Sequence, residues 1–401
     1  MTVNPPTLKA PFPYAGGKSR IAADVWQRLG DVDNYVEPFC GSLATLLRRP
    51  AYHFRNGYRV ETVNDANHYL VNFWRAVKAD PEAVAEFADW PVMEADLHAR
   101  HKWLVRSQHA AEWRKKMAED PEHYDAKMAG WWCWGACCWI GGMWCADGGI
   151  QHDRRPAFSF NNLGPGVRGN DPSMTEGRPQ LTDAFDIGRG VNSGGSTDWT
   201  QVPDLANSRT TGGSVDWTQR ANLDPCDFGV IGNKAVGICS HRRAWLINWF
   251  TALSDRLRLV RTCYGHWSRI CDSDSTMTRL GTTGVFLDPP YPAKRADGSK
   301  SRDDSLYVND KLQCLDALRD EVLAWCRKWA GPQVRIAVCG YEGDGYESLI
   351  AEGWTEQSWE AGGGYANQRR GGKGKSENAK RERVWYSPAC VAEAGLFSSV
   401  A

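Results

Sequence analysis

Neither sign of charge is in excess, since the 401 residues include 48 basic and 48 acidic side chains. That balance excludes a protein held to nucleic acid by its overall charge, so any grip on phosphates must come from a local patch. Long apolar runs are also missing: the best candidate, 131–145, is broken by glycines and too short for a bilayer. No basic-then-apolar leader opens the chain. With thirteen cysteines, an odd count, this predicts a reduced, cytoplasmic protein without a disulfide framework. No Cys-x-x-Cys pairing accompanies Cys133, Cys137, Cys138, Cys145 and His152, so these residues read as small buried side chains and no metal is expected.

What is present is globular. Hydrophobic residues make up 42% and charged residues 24%, enough for one large domain or two ordinary ones. The twenty tryptophans serve as core or as stacking surfaces.

The apolar run Gly284-Val285-Phe286-Leu287 ends abruptly in Asp288-Pro289-Pro290-Tyr291. This is the pattern of a buried strand delivering a rigid loop to the carboxyl edge of a sheet, where open α/β sheets bind ligands. Prolines remove N–H donors, leaving one carboxylate, backbone carbonyls and one aromatic face. Such a set suits a planar amine. An exocyclic amino group would donate to Asp288 and to the Pro289 carbonyl while its ring stacks on Tyr291.

Earlier in the chain, Tyr14, Gly16, Gly17 and Lys18 precede a helical run to Leu29, a place where an anion can sit at a helix N-terminus with Lys18 as counter-charge. A strand then enters the turn Glu37-Pro38-Phe39-Cys40-Gly41, with a helix expected through Leu47. Gly41 lets a cofactor approach closely. The next strand, 59–63, leads to Asp65, placed to bind ribose hydroxyls or else to cap the helix 68–78; the ribose reading is favoured by the preceding glycine turn.

Pro-Tyr-Ala-Gly-Gly-Lys at 13–18, Val-Glu-Pro-Phe-Cys-Gly at 36–41, Asn-Asp-Ala-Asn at 64–67 and Asp-Pro-Pro-Tyr at 288–291 resemble the ordered motifs of Dam-like, alpha-type DNA adenine methyltransferases of phage and bacteria. The resemblance covers roughly 11–90 and 240–390. It implies an α/β fold with the Rossmann-like, mixed seven-stranded sheet of S-adenosylmethionine-dependent methyltransferases: a catalytic domain at 1–89 and 240–401, and an inserted target-recognition region at 90–239. It also implies that Tyr14, Gly17 and Lys18 touch S-adenosylmethionine, that Glu37, Pro38, Phe39 and Gly41 line its methionine half, and that Asp65 takes its ribose. Two positions depart from the family. Leu43 stands where a second glycine is common, so the turn is wider or differently capped, and His266 stands where an acid would contact the cofactor's adenine.

Within the insertion, 80–130 reads as two or three packing helices. The tryptophan-rich stretch 131–144 lies beside the flipped-base pocket by analogy, or is a packed core helix. From 161 to 224 composition shifts to Gly, Asn, Ser, Thr and Asp, and Gly-Gly-Ser-Thr-Asp-Trp-Thr-Gln at 194–201 recurs as Gly-Gly-Ser-Val-Asp-Trp-Thr-Gln at 212–219. The repeat is either a hairpin pair reaching a DNA groove or a pair of structural turns. Arg154, Arg155, Arg168 and Arg178 are available for phosphates there. Helices are expected at 241–257, 310–329 and near 346–352, and strands at 259–264, 334–339, 354–359 and 383–386. Arg369, Arg370, Lys373 and Lys375, with Lys380, Arg381 and Arg383 beyond, form the strongest basic cluster and the expected DNA contact.

The function implied is methyl transfer from S-adenosylmethionine to the amine of a flipped-out adenine in double-stranded DNA, with Asp288, Pro289, Pro290 and Tyr291 as the catalytic loop. No obligate protein partner and no membrane are expected. Cytosine-N4, RNA adenine and a silent nucleic-acid-binding descendant are the alternatives. A lone methyltransferase fits the lack of a fused nuclease motif, and the cysteines are not expected to act as nucleophiles.

Overall fold

Asn34–Glu37 (β1) is buried at all four positions and Thr283–Leu287 (β4) at all five. Strands buried on both faces belong at the centre of a sheet covered on either side. The two lie side by side and parallel, Tyr35 opposite Gly284 and Val36 opposite Val285. The computed structural model describes residues 8–14, 16–50, 59–106, 108–139, 144–145, 238–292, 298, 315–359 and 380–392. Around the central pair stand Val60–Asp65 (β2), Arg261–Tyr264 (β3), Val334–Tyr341 (β5), Thr355–Ser358 (β6) and Glu382–Tyr386 (β7).

Together they form one seven-stranded sheet in the order β3-β2-β1-β4-β5-β7-β6. β3, β2, β1, β4 and β5 are parallel, whereas β7 runs antiparallel between β5 and β6. Strand order reverses between β1 and β4, and a crevice at the carboxyl ends of the strands follows from that reversal.

Side-chain alternation divides the core. Val285, Leu287, Ile336, Val338 and Trp385 pack on one face with Leu318, Val322 and Trp325 of helix Leu315–Trp329 (α8). Tyr35, Phe286, Ala337, Cys339, Val384 and Tyr386 point to the other face. There they share one core with Ala22–Leu29 (α1), His68–Ala79 (α2), Pro81–Ala88 (α3), Glu94–Arg106 (α4), Gln108–Glu119 (α5), Ala126–Cys138 (α6) and Ile238–Leu257 (α7). The tryptophan-rich α6 packs against α2 and α3. Its Trp132 and Trp134 are buried, and the thiols of Cys133 and Cys137 point at the Pro11 carbonyl. This is the packed-core alternative for those residues. Among the described residues no cluster with the makings of a metal site occurs, and His152 lies outside them.

Two expected helices are 3₁₀ turns, the first of them also shorter. After Gly41 the chain makes only a 3₁₀ turn, Leu46–Arg48. Leu43 interrupts it from one side with φ 55°, and from the other Pro50 forces Arg49 into an extended conformation with ψ 123°. Tyr346–Glu352 is likewise 3₁₀, bracketed by left-handed Gly345 and Gly353. The repeat at 194–201 and 212–219 and the arginines at 154–178 lie outside the described residues.

Candidate active site

A cleft of about 340 Å³ opens at the carboxyl ends of β1, β2, β3 and β4. Its first wall is the segment before α1. Gly17 N–H closes a turn on the Tyr14 carbonyl at 3.2 Å, and the Lys18 ammonium folds back onto the Gly16 carbonyl at 2.8 Å. Lys18 is buried although its neighbours are exposed. The carboxylate it meets belongs to the protein: Nζ lies 2.8 Å from Asp288 Oδ1. Burial pushes Lys18 down, but Asp288 and Glu382 outweigh it and hold the ammonium firmly protonated.

The second wall is the turn after β1. Gly41 has φ 46°, and a Cβ there would meet the Tyr14 ring at 2.6 Å, so the turn leaves room for only a hydrogen at this point. Leu43, in the next positive-φ position, keeps the backbone shape that glycine would give. The Phe39 ring stacks on Trp267 at 5.7 Å. Glu37 lines the cleft, accepting from the Tyr35 hydroxyl at 3.0 Å. Burial pushes its carboxyl well above the ordinary range. Asn64 ties the strand ends together, donating to the carbonyls of Pro38 at 3.1 Å and Gly265 at 3.0 Å.

Asp65 does not cap α2. Asn67 does, its Oδ1 accepting from the N–H groups of Tyr69 and Leu70. Asp65 instead accepts from Gly41 N–H at 3.0 Å and Asn67 N–H at 2.8 Å, which locks the β2 end to the glycine turn. Burial pushes its carboxyl up to about 6 against those donors. His266 lines the far end of the cleft, exposed, with Nδ1 2.9 Å from Ser268 Oγ.

The third wall is the loop after β4. Asp288, Pro289 and Pro290 line the cleft. Asp288 Oδ1 takes both protein donors, Lys18 and the Tyr291 hydroxyl, the latter at 3.2 Å. Its Oδ2 receives none from the described residues, and the side chain remains about one-fifth exposed (21%). Burial raises the carboxyl, with Lys18 and Tyr291 pulling it back.

Tyr291 departs from its expected role as a stacking platform. Its ring is 3% exposed, lies edge-on to Tyr341 at 4.6 Å and carries the Lys18 ammonium 5.1 Å from its centroid.

A residue that sequence reasoning missed completes the group. Glu382, first in β7, accepts from the Tyr291 hydroxyl at 3.0 Å and lies 4.0 Å from Lys18. In sequence it hides in the charged run Lys380-Arg381-Glu382-Arg383. Its alternation with Val384 and Tyr386, both core residues, was the available signal. The flanking arginines are not free for phosphates: Arg383 pairs with Glu342 and Glu356, and Arg381 donates to the Glu342 carbonyl. Arg369, Arg370, Lys373 and Lys375 lie outside the described residues.

The mixed sheet with its antiparallel β7 and the crevice at the β1–β4 reversal form a Rossmann-like α/β fold of the kind S-adenosylmethionine-dependent methyltransferases have. Residues 14–109 match the model of the D12 class N6 adenine-specific DNA methyltransferase family, which uses S-adenosylmethionine as methyl donor. That span contains the first two walls, including Tyr14, Lys18, Glu37, Gly41 and Asp65. The match supports DNA adenine-N6 methylation. No curated protein matches the chain. The residues present fit the cofactor: a glycine-floored turn admits close approach, Asp65 offers a carboxylate at the β2 end, and the buried Asn64 Oδ1 has no hydrogen-bond partner among the described residues.

Proposed function

We propose that the cleft methylates the amine of an adenine turned out of duplex DNA, with Asp288 as the residue that receives that amine. The observation that carries this is the asymmetry of the Asp288 carboxylate. Lys18 and Tyr291 pin Oδ1, while Oδ2 is left to accept an N–H from the base. The bound cofactor supplies an electrophilic methyl on a sulfonium. The amine nitrogen forms the new N–C bond with its lone pair as the S–C bond breaks onto sulfur, and it sheds one proton to Asp288 Oδ2. Positive charge grows on nitrogen along this path, and a fixed carboxylate stabilises it more than it stabilises the neutral amine. The raised affinity of Asp288 for protons suits the last step.

Glu37, Phe39, Gly41 and Asp65 hold the cofactor in this reading, and the base enters on the proline side of the cleft. Extrusion costs a few kcal/mol, offset by contacts to backbone and base. Helix α6 is committed to the core, so within 90–239 the reading of sequence falls to the exposed faces of α4 and α5 or to the segment that follows α6. Arg369, Arg370, Lys373 and Lys375 take phosphates. The setting is a bacterial or phage-infected cell, with duplex DNA as the partner.

Asp288→Ala tests this most locally. Transfer should fall by about 10²–10³-fold, the range for losing one preorganised electrostatic contact, while calorimetric affinity for S-adenosylmethionine stays within about threefold. Wild-type transfer by this variant would remove Asp288 from the reaction.

A further inference from the structure

Lys18 poses an electrostatic problem for the reaction just described. A buried ammonium 2.8 Å from Asp288 neutralises the carboxylate that a positively charging amine needs. Taken alone, Lys18 and Asp288 are a neutral pair. Glu382 changes the sum: its Oε2 is 4.0 Å from the same ammonium, and its side chain is 6% exposed. Burial raises both carboxyls and Lys18 pulls them back; with both ionised, one cation faces two carboxylates and one net negative charge stands beside the cleft.

Geometry links the three groups further. The Tyr291 hydroxyl lies 3.2 Å from Asp288 Oδ1 and 3.0 Å from Glu382 Oε2, so its single proton is shared between the two carboxylates. Asp288 sits on the loop after β4 and Glu382 at the start of β7, with β5 between the two strands. The bridge therefore spans the sheet and fixes the catalytic loop from a strand that the sequence marks only as charged.

On the reading under Proposed function, we propose that Glu382 is a positioning residue for methyl transfer. It holds Asp288 in place through Tyr291 and Lys18, and it restores the negative charge that Lys18 cancels. It touches neither base nor cofactor in this account. Its loss should appear in turnover and not in binding.

The experiment compares Glu382→Gln, Glu382→Asp and Tyr291→Phe with the wild type in single-turnover transfer of labelled methyl to duplex DNA. Glu382→Gln keeps the shape and an acceptor for Tyr291 but removes the charge, so the rate should fall about tenfold to a hundredfold, the scale of a displaced reacting group. KM for cofactor and DNA should stay within about twofold. Glu382→Asp should recover part of the rate, and Tyr291→Phe, which keeps both charges, should lose less than Glu382→Gln. An unchanged rate in Glu382→Gln, or a loss confined to KM, would overturn the proposal.

A second arm needs no reaction. Asp288→Asn and Glu382→Gln each leave Lys18 one carboxylate, whereas the double variant strands a buried ammonium, so thermal unfolding should show a loss larger than the sum of the singles. Additive losses would break the coupling claimed here. No adenine methylation by the wild type, with the coupling intact, would instead overturn the functional reading and leave the charge arrangement standing.

Discussion

Leu43 is the clearest case of a side chain and its backbone pulling apart. Its φ of 55° costs a leucine about 1–2 kcal/mol relative to a right-handed conformation. Its side chain is fully buried, and losing such a leucine costs about 2–5 kcal/mol. Packing wins, which is why the turn tolerates a residue that the pattern of small residues does not anticipate. Leu43→Gly should therefore destabilise, yet by about 1 kcal/mol less than Leu43→Ala, because glycine alone relieves the strain. Chemical denaturation of the two variants reads this directly, and the reverse order would deny the strain.

His68 carries a second residue-scale expectation. Burial, aided by Arg114, lowers its folded pKa from 6.5 to about 3. A depressed folded pKa means that its contribution is intact above 6.5 and is lost as pH falls toward about 3, since only the unfolded chain takes up the proton in that window. The melting temperature should drop across that range, and His68→Gln should flatten the drop. Asp65, with its carboxyl raised to about 6, acts in the opposite sense, its contribution fading as pH rises through that value. An unflattened profile in His68→Gln would assign the acid sensitivity elsewhere.

Legibility at this scale followed local chemistry. Asp288, Lys18 and Gly41 stand in patterns whose chemistry is local, and the cleft gathers them. The Lys18–Asp288 pair was not readable because it joins residues 270 positions apart, and Glu382 looked like one more solvated charge. The stacking role expected of Tyr291 did not anticipate its hydroxyl, which meets the carboxylates of Asp288 and the buried Glu382, or that the ring lies in the core.

Among elements, the contact of α3 with α6 depends on a missing side chain. A Cβ on Gly130 would lie 2.4 Å from Phe87 Cβ, 2.7 Å from the Val84 carbonyl oxygen and 2.9 Å from Ala88 N. Two of these are backbone atoms and cannot rotate away. Alanine gains about 1 kcal/mol in helix propensity, but overpacking costs about 1–3 kcal/mol. Gly130→Ala should thus destabilise modestly in denaturant titration, and stabilisation would mean that the helices separate freely.

Strand positions were readable to within two or three residues because alternation and abrupt turns mark them. The two 3₁₀ segments were not, since Leu43, Pro50, Gly345 and Gly353 act through backbone dihedrals that apolar periodicity does not express. Nor did the sequence show how deeply α6 is committed to the core. Its tryptophans serve packing equally well against a sheet or against a base.

At the scale of the molecule, a neutral chain builds a sheet whose order reversal opens one cleft, and three separated segments of sequence supply its walls. No helix among the described residues is long and apolar enough to cross a membrane. The adenine-specific family match covers 14–109, while the loop proposed to receive the base lies far beyond it at 288–291. In the proposed reaction the two halves meet: one cleft binds S-adenosylmethionine and transfers its methyl to adenine. The direct measurement is incubation with methyl-labelled S-adenosylmethionine and adenine-containing duplex DNA, followed by digestion and nucleoside analysis. The account predicts label on the exocyclic amine of deoxyadenosine, absent in Asp288→Ala; label on deoxycytidine, or none despite bound cofactor, would contradict it.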